Sequence, residues 1–216
     1  MNKDRVISIC EKSGISLPKN FWHKMTEYAE LIQNNSKGYG IISLRETEHI
    51  WERHILDSLA LLLFANIEET MSVLDYGSGG GLPGIVLASA TDAKFTLAES
   101  NSRKASFIQI AKKQLNLQNV FVFSGRVKDI DKKFNLITIR ATGPLSRTIP
   151  DALKHLTKHG KVALWAGASF AQKIQYWTNF LSKRNAKIKI MQYPEDFSET
   201  RRLFMAFISI AHGRNQ

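Results

Sequence analysis

The glycine-rich segment from Asp75 to Gly84 is the part of the chain best suited to hold a ligand. Its residues, DYGSGGGLPG, follow an apolar run that predicts a strand and precede a stretch that predicts a helix. Glycine has no side chain, so it accepts a positive φ and lets a ligand approach the backbone closely. Because ligands of parallel α/β sheets bind beyond the carboxyl ends of the strands, this turn is the predicted cofactor site.

Two classes of cofactor compete for this turn. Gly79, Gly81 and Gly84 satisfy G-x-G-x-x-G, the dinucleotide pattern. Gly77, Gly79 and Gly81 satisfy an acid-x-G-x-G-x-G pattern that resembles the loop of S-adenosylmethionine (SAM) methyltransferases. That register starts directly after the strand, and an anionic Asp75 suits a cationic amino group better than a pyrophosphate. The turn therefore favours SAM over NAD or FAD, and a glycine turn without a ligand is the third alternative.

Two later strand ends contribute further candidate contacts. Glu99 closes the second predicted strand, where a carboxylate can accept the hydroxyl protons of an adenosine ribose. Such an acid fits SAM and NAD equally, and a solvated acid or an aid to the next helix is the alternative. The turn after the third strand places Val127 and Lys128 where their backbone groups could meet the adenine edge. An ordinary polar turn explains that segment as well.

The residues around the predicted site argue against two kinds of methyl transfer. Methylation of a pyrimidine C5 usually needs a cysteine nucleophile, and Cys10 lies in the N-terminal helical region, far from any strand end. Methylation of an adenine amino group commonly uses Asn/Asp-Pro-Pro-aromatic after the fourth strand, where residues 139–144 read IRATGP. A guanine N(7) is already an unprotonated nucleophile, so it needs positioning and no general base.

Arg140, at the end of the fourth predicted strand, is the candidate positioning residue. It could hold a phosphate, the guanine acceptors or the SAM carboxylate, and a surface arginine paired with an acid is the alternative. Arg140→Ala is expected to lower activity while leaving the fold intact. His54 and Asp57 share a helix face, which fits proton transfer or a local packing pair.

The charge balance points to a polyanionic partner. The 216 residues include 30 Lys and Arg against 19 Asp and Glu, a formal net charge of +11. The six histidines lack metal-ligand spacing, so no metal is predicted. Paired basic residues, each more often a solvated face when taken alone, are candidate phosphate contacts: Arg103-Lys104, Lys112-Lys113, Lys183-Arg184 and Arg201-Arg202.

Other features of the chain predict a cytoplasmic protein. The single cysteine, Cys10, permits no intrachain disulfide, as is usual where thiols stay reduced. The first residues are polar and form no apolar signal sequence. The longest apolar stretch, Leu59 to Ala65, is too short to span a bilayer. No membrane association is expected, and a monomer is the default expectation.

From residue 72 onward, short apolar runs alternate with amphipathic stretches, which predicts an α/β fold whose mainly parallel sheet has helices on both faces. The predicted strands are Ser72–Tyr76, Lys94–Glu99, Val120–Phe123, Phe134–Ile139, Lys161–Trp165, Ala186–Met191 and Leu203–Ile210. One helix is predicted to start near Pro83, and three more are predicted over Ser102–Leu115, Leu145–Leu156 and Phe170–Leu181. No helix separates the last two strands, which predicts an antiparallel strand at the sheet edge.

The N-terminal part of the chain has helical rather than strand periodicity. Apolar spacing predicts a helix over Phe21–Ile32, followed by a loop over Asn34–Gly40 and a second helix with Thr47 as its N-cap. We expect one domain over residues 1–216, with an N-terminal helical extension (1–70) packed on a SAM-binding α/β core (71–216).

Two segments together resemble the RsmG/GidB family of bacterial 16S rRNA guanine-N(7) methyltransferases. The segment Arg53–Leu59, RHILDSL, looks like that family's helix motif before the sheet, and Leu74–Gly84 looks like its version of the SAM loop. Weaker similarities are Glu99-Ser100, Ser124–Val127, Arg140-Ala141 and Glu199–Leu203.

The resemblance implies a class I SAM-dependent methyltransferase fold, a Rossmann-like three-layer sandwich with a seven-stranded sheet. It implies a guanine in the 530 loop of 16S rRNA as the substrate, presented by the RNA, the small ribosomal subunit or an assembly intermediate. An enzyme acting on another RNA base or on protein, and a non-catalytic RNA-binding assembly factor, are the alternatives. The turn and the family positions together predict these cofactor contacts: Asp75, Gly77, Ser78, Gly79, Gly81, Leu82, Glu99, Val127, Lys128 and Arg140.

The chain departs from the family pattern at two places. The family often has Lys-Gly after the fifth strand, where this chain has Ala166-Gly167, and often has an aromatic residue where this chain has Thr142. These departures concern the contacts to the guanine and leave the expected fold unchanged.

Overall fold

The computed structural model describes residues 2–200 and 204–211, the side chains of 198–200 excepted. A seven-stranded sheet with the order β3-β2-β1-β4-β5-β7-β6 forms its centre. The strands are β1 (Ser72–Tyr76), β2 (Lys94–Glu99), β3 (Val120–Ser124), β4 (Phe134–Ile139), β5 (Leu156–Ala166), β6 (Ala186–Gln192) and β7 (Phe204–Ile210). The first five strands are parallel to one another, and β7 is antiparallel to both β5 and β6.

The inner strands are apolar on both faces because helices cover both sides of the sheet. In β1, Val73 and Leu74 point to opposite faces, and both are completely buried in two separate apolar clusters. The helices are α1 (Lys3–Lys12), α2 (Phe21–Tyr39), α3 (Leu44–Thr47), α4 (Asp57–Leu59), α5 (Gly84–Ala90), α6 (Ser102–Gln114), α7 (Leu145–Lys154), α8 (Ala168–Gln172) and α9 (Ile174–Ser182).

The helices divide between the two faces and form the predicted three-layer sandwich. Core residues of α1, α2, α5 and α6 belong to the cluster that contains Val73. Core residues of α7, α8 and α9 belong to the cluster that contains Leu74. The segment between α3 and β1 continues the first layer through a π-helical turn, Trp51–Leu56, then α4, then a 3₁₀ turn over Ala60–Leu63.

The N-terminal helices differ from the prediction in two respects. Helix α2 continues to Tyr39, through the segment predicted as a loop, and ends where Gly40 adopts a left-handed conformation. The polar side chains inside it satisfy backbone carbonyls, since Ser36 Oγ donates to Ile32 O at 2.7 Å. The next helix begins earlier than predicted, because Ser43 rather than Thr47 is its N-cap.

The last strands pair in an antiparallel manner, as predicted, but the antiparallel strand does not form the edge. Strand β7 lies between β5 and β6, so β6 takes the outer position. A 3₁₀ turn over Glu195–Thr200, which the sequence did not predict, connects β6 to β7. Within the described residues, no helix combines the length and apolar character needed to cross a membrane.

Candidate active site

The glycine turn after β1 adopts a conformation that requires glycine. Gly77, Gly79 and Gly81 have φ values of 70°, 58° and 94°, in the region that L side chains rarely adopt. A Cβ on Gly77 would lie 2.1 Å from Thr142 Oγ1, whereas a Cβ on Gly79 would meet no atom within 4 Å. The turn is therefore closed beside Gly77 and open beside Gly79.

Asp75, in strand β1, stabilises the turn through hydrogen bonds to its buried carboxylate. Its Oδ1 accepts a hydrogen bond from Thr138 Oγ1 at 2.8 Å, and its Oδ2 accepts one from Gly84 N at 3.1 Å. Burial raises the pKa of this carboxyl, and the hydrogen bonds from Thr138, Ser78 and Gly84 oppose that rise. Asp75 is not among the residues that line the adjacent cavity, so its carboxylate braces β4 and α5 where the sequence predicted a direct cofactor contact.

A cavity of about 640 Å³ opens between the glycine turn, the end of β4 and the N-terminal helical layer. Of the residues predicted to contact the cofactor, Gly77, Ser78, Gly79 and Leu82 line this cavity, whereas Gly81 does not. The N-terminal layer and the loop after β4 contribute the residues that the sequence did not single out for this wall: Ile41, Ile42, Glu46, Arg53, Ala141, Thr142 and Gly143.

A second cavity of about 630 Å³ lies on the other side of Thr142. Val127 and Lys128 line it, in a short 3₁₀ turn that follows β3. Both cavities share Gly77, Glu99 and Thr142. One elongated ligand can therefore occupy both, with the shared residues at its middle.

Glu99 lies at this junction with its carboxylate held in place. Its Oε2 accepts a hydrogen bond from Gly79 N at 2.8 Å, and its Oε1 accepts one from Asn101 N at 2.8 Å. The residue is 8% exposed and lines both cavities. A carboxylate oxygen can accept more than one hydrogen bond, so both oxygens keep capacity for ligand hydroxyls.

Arg140 joins β4 to the N-terminal layer across the first cavity. Its Nη1 donates to Asp57 Oδ2 at 3.1 Å, and its Nη2 lies 3.2 Å from His54 Nδ1. The side chains of Arg140 and Asp57 are 10% and 2% exposed, so this is a buried pair rather than the surface pair considered above. Trp165 Nε1 donates to the Asp57 carbonyl at 2.7 Å and fixes the same turn from β5.

The sequence motif RHILDSL is thus the partner of Arg140. His54 in the π-helical turn and Asp57 at the start of α4, spaced by three, both meet the guanidinium. This arrangement supports the packing alternative for these two residues. In comparison with known proteins, residues 22–199, which include this motif, the glycine turn and Arg140, match the family described as rRNA small subunit methyltransferase G, GidB.

The chain belongs to the rRNA small subunit methyltransferase G family. It is 34% identical over 161 residues to a protein of that name from Rickettsia bellii, which covers 74% of this chain and 82% of the relative. It is 35% identical over 166 residues to the Neisseria meningitidis serogroup A protein of the same name, which covers 76% and 78%. The predicted family is confirmed, and with it a SAM-dependent methyltransferase family.

Solved structures with low sequence identity confirm the fold. A putative SAM-dependent methyltransferase from Methanococcus maripaludis aligns with a TM-score of 0.62 at 15% identity, over 87% of this chain and 94% of that one. A ribosomal protein L11 methylase from Lactobacillus delbrueckii aligns with a TM-score of 0.57 at 18% identity, over 73% and 78%. The class I methyltransferase fold predicted for this family member is therefore present.

Two residues of this family member contribute to the site without having been predicted to do so. Tyr28 of α2 is fully buried, and its hydroxyl donates to Gly80 O at 2.6 Å, which holds the glycine turn from the N-terminal side. Burial raises the pKa of Tyr28, so it stays a donor. Thr142 stands where the family often has an aromatic residue, and it packs against Gly77. Neither contact has a local signal in the sequence.

The predicted basic pairs have separate surroundings in this family member. Lys104 lines the first cavity, Lys112 and Lys113 lie together on α6, and Arg184 lies over the Phe180 ring at 3.7 Å. The motif Glu199–Leu203, which includes the pair Arg201-Arg202, lies wholly outside the residues whose side chains are described. In the described part of the chain, no group of three or more His, Cys, Asp or Glu could hold a metal ion. Burial raises the pKa of Cys10 to about 12.

Proposed function

We propose that this protein transfers a methyl group from SAM to N(7) of a guanine in the 530 loop of 16S rRNA. The observation that carries the proposal is the open glycine turn, whose two cavities meet at Glu99, in a chain of the rRNA small subunit methyltransferase G family. The 530-loop guanine follows from the family resemblance and is the specific part of the proposal.

The residues present fit an adenosyl cofactor. Val127 and Lys128 would face the adenine in the second cavity, and Glu99 would accept the ribose hydroxyls at the junction. Gly77 and Leu82 would contact the amino acid end in the first cavity. When bound, SAM supplies an electrophilic methyl group, and the glycine turn would hold the cofactor.

The chemistry assigned to the chain is positioning. A guanine N(7) carries its own lone pair, so the site needs no group to remove a proton. Arg140 is held by Asp57 and His54 in a fixed orientation, and a guanidinium fixed in this way can hold a phosphate or the acceptors of a guanine. Lys104 on the same cavity adds positive charge where RNA would enter.

We further propose that the protein works in the cytoplasm as a monomer. Its substrate would be 16S rRNA in the small subunit or in an assembly intermediate, and residues 1–70 and 71–216 would act as one unit. In support of that unit, one apolar cluster contains Tyr28 and Ile32 of α2 together with Val73 and Leu97 of the sheet. The formal net charge of +11 supports an RNA substrate.

A methylation assay with labelled SAM tests the proposal. Purified protein is incubated with 16S rRNA and with 30S particles from a strain that lacks the gene, and N(7)-methylguanine is mapped by primer extension after cleavage at the modified base. Incorporation at a guanine of the 530 loop is the expected result. Label at another base or on a protein would replace the substrate, and protein that binds no SAM would indicate a non-catalytic assembly factor.

A further inference from the structure

A basic groove lies on the sheet, away from the glycine turn. It has a volume of about 940 Å³, larger than either cavity of the candidate active site. Its floor is the face of β5, β7 and β6 that the N-terminal helices leave uncovered, and one wall is the segment that precedes β1. We call it the lysine groove after three exposed residues that line it, Lys161, Lys187 and Lys189.

The strand register brings these three lysines together on one face. Lys187 pairs with Ser209 and Lys189 with Phe207, across β6 and β7. Val162 of β5 pairs with Ile208, so the preceding residue, Lys161, lies opposite Ser209 from the other side. The backbones of Lys161 and Lys187 are therefore two strands apart, about 10 Å, and Lys189 lies about 7 Å further along β6.

The groove carries an excess of positive charge. Among residues 2–200 and 204–211, none of the three lysines forms an ion pair. Glu68 is the acid on the wall, and its Oε1 accepts a hydrogen bond of 3.5 Å from Asn66 Nδ2. Three cations against one acid leave an excess of positive charge in a concave site, which concentrates anions.

Protection of the sheet edge does not account for this set. Lysines on an edge strand prevent strand pairing between molecules, which is a sufficient reason for Lys187 and Lys189 on β6. Lys161 lies on β5, which has a neighbour on each side and no free edge. Its side chain adds a third like charge to the same groove, and like charges gathered in this way favour an anionic ligand.

We propose that the lysine groove binds backbone phosphates of the small-subunit rRNA at a point remote from the methylated base. The inference rests on the proposed function. Lys161 precedes Ala166, at the end of β5 nearest the cofactor, by five residues, which is about 17 Å along the strand. A nucleotide at the active site does not cover that distance, but a folded RNA does. The lysines would contact phosphates as point charges and add affinity without reading sequence.

Binding and methylation are measured with a triple variant, K161Q/K187Q/K189Q, which keeps most of each side chain but removes its charge. The matched control is K12Q/K19Q/K94Q, which removes three exposed lysine charges from α1, the loop that follows it and β2, none of them in the groove or in the basic pairs named above. Affinity for protein-free 16S rRNA and for 30S particles is measured between about 50 and 200 mM salt, the range in which phosphate contacts change binding strongly. SAM affinity and the kcat and KM of methylation are measured in parallel.

The groove variant is expected to bind both RNA substrates at least tenfold more weakly and to lower the salt dependence by about one unit per lysine. Its KM should rise while its kcat and SAM affinity stay unchanged, and the control variant should change RNA affinity less than threefold. Equal losses in both variants would overturn the proposal, because they would reflect overall charge. An effect on 30S particles without one on protein-free 16S rRNA would also overturn it, in favour of an acidic protein partner.

The binding readout separates this proposal from the proposed function. If the wild-type protein binds rRNA through the groove but methylates no guanine of the 530 loop, the proposed function fails and the groove stands. If the wild-type protein methylates that guanine and the groove variant binds and methylates equally well, the groove fails and the function stands.

Discussion

Arg140 Nη1 donates a hydrogen bond of 3.1 Å to Asp57 Oδ2 and thereby joins the end of β4 to the N-terminal helical layer. Both side chains are nearly inaccessible, at 10% and 2% exposure. A charge in such a position depends on its partner, because removing either one leaves the other buried without full compensation. The pair thus links the stability of the N-terminal layer to the geometry of the candidate active site.

Arg140→Ala should therefore affect stability as well as activity. We expect the free energy of unfolding to fall by about 3 kcal/mol because the Asp57 carboxylate loses its buried cation, and methylation to fall at least tenfold. Urea unfolding followed by circular dichroism measures the first quantity and labelled SAM the second. The double variant R140A/D57N should regain part of the stability and none of the activity. Glu27→Gln, which removes an exposed partner of His23, is the control. If Arg140→Ala shifted the unfolding midpoint no more than this control does, the structural role of Arg140 would be contradicted.

Gly79→Asp should abolish SAM binding while the protein stays folded. A Cβ at this position meets nothing within 4 Å, so the new carboxylate projects into the first cavity. Isothermal titration calorimetry with SAM measures the loss. Gly14→Asp is the matched control, because Gly14 has a similar φ of 70° and equally open surroundings but lies in the turn after α1. Both variants should lose a similar amount of unfolding free energy, because each places a side chain at a positive φ. An equal loss of SAM affinity in both would show that Gly79 does not belong to the cofactor site.

Glu99→Gln should weaken SAM binding about tenfold to a hundredfold. Hydrogen bonds to a charged group contribute about 1.5–3 kcal/mol, and the amide presents a donor where the carboxylate accepts. The sharper measurement compares SAM with its 2′-deoxyribose analogue. Wild-type protein should prefer SAM, and the variant should lose most of that preference. A variant that retains the full preference would show that Glu99 only holds the backbone of Gly79 and Asn101.

Asp75 gives the stability a defined pH dependence. Its pKa is raised in the folded protein above 3.8, the usual value for an aspartate side chain, so the folded state binds this proton more tightly than the unfolded state does. Its contribution is therefore most favourable below pH 3.8 and declines as the pH rises through the folded pKa. The difference in unfolding free energy between wild type and Asp75→Asn, measured over this window, should decrease with rising pH. A difference that increases with pH would mean that hydrogen bonding outweighs burial.

Much of the sheet was predictable because its strands are local patterns. The predicted bounds of β1, β2 and β4 agree with the structure, since each strand is a short, largely apolar run with a clear change of composition at its ends. The end of α2 was not predictable from polarity. Its polar last turns remain helical because Ser36 satisfies a carbonyl of the preceding turn and Gly40 closes the helix.

The candidate site likewise has contacts that the sequence predicts and contacts that it does not. The positive φ values of the glycine turn follow from its own residues, and the position of Glu99 beside it follows from the parallel pairing of the consecutive strands β1 and β2. The partner of Arg140 is 83 residues away in the chain, and Tyr28 is 52 residues from the carbonyl it contacts. Thr138, 63 residues from Asp75, donates a hydrogen bond to the carboxylate that the sequence assigned to the cofactor. Contacts at such separations depend on how layers pack, which spacing alone does not encode.

The position of β7 has a consequence for the folding of the chain during its synthesis. Strand β7 is the last of the seven to be synthesised, yet it fills the gap between β5 and β6. Until it emerges, β5 presents an unpaired backbone flanked by apolar side chains, a surface prone to intermolecular pairing. The nascent polypeptide therefore carries this unpaired edge from the synthesis of β5 until that of β7, and chains terminated before residue 204 would retain it.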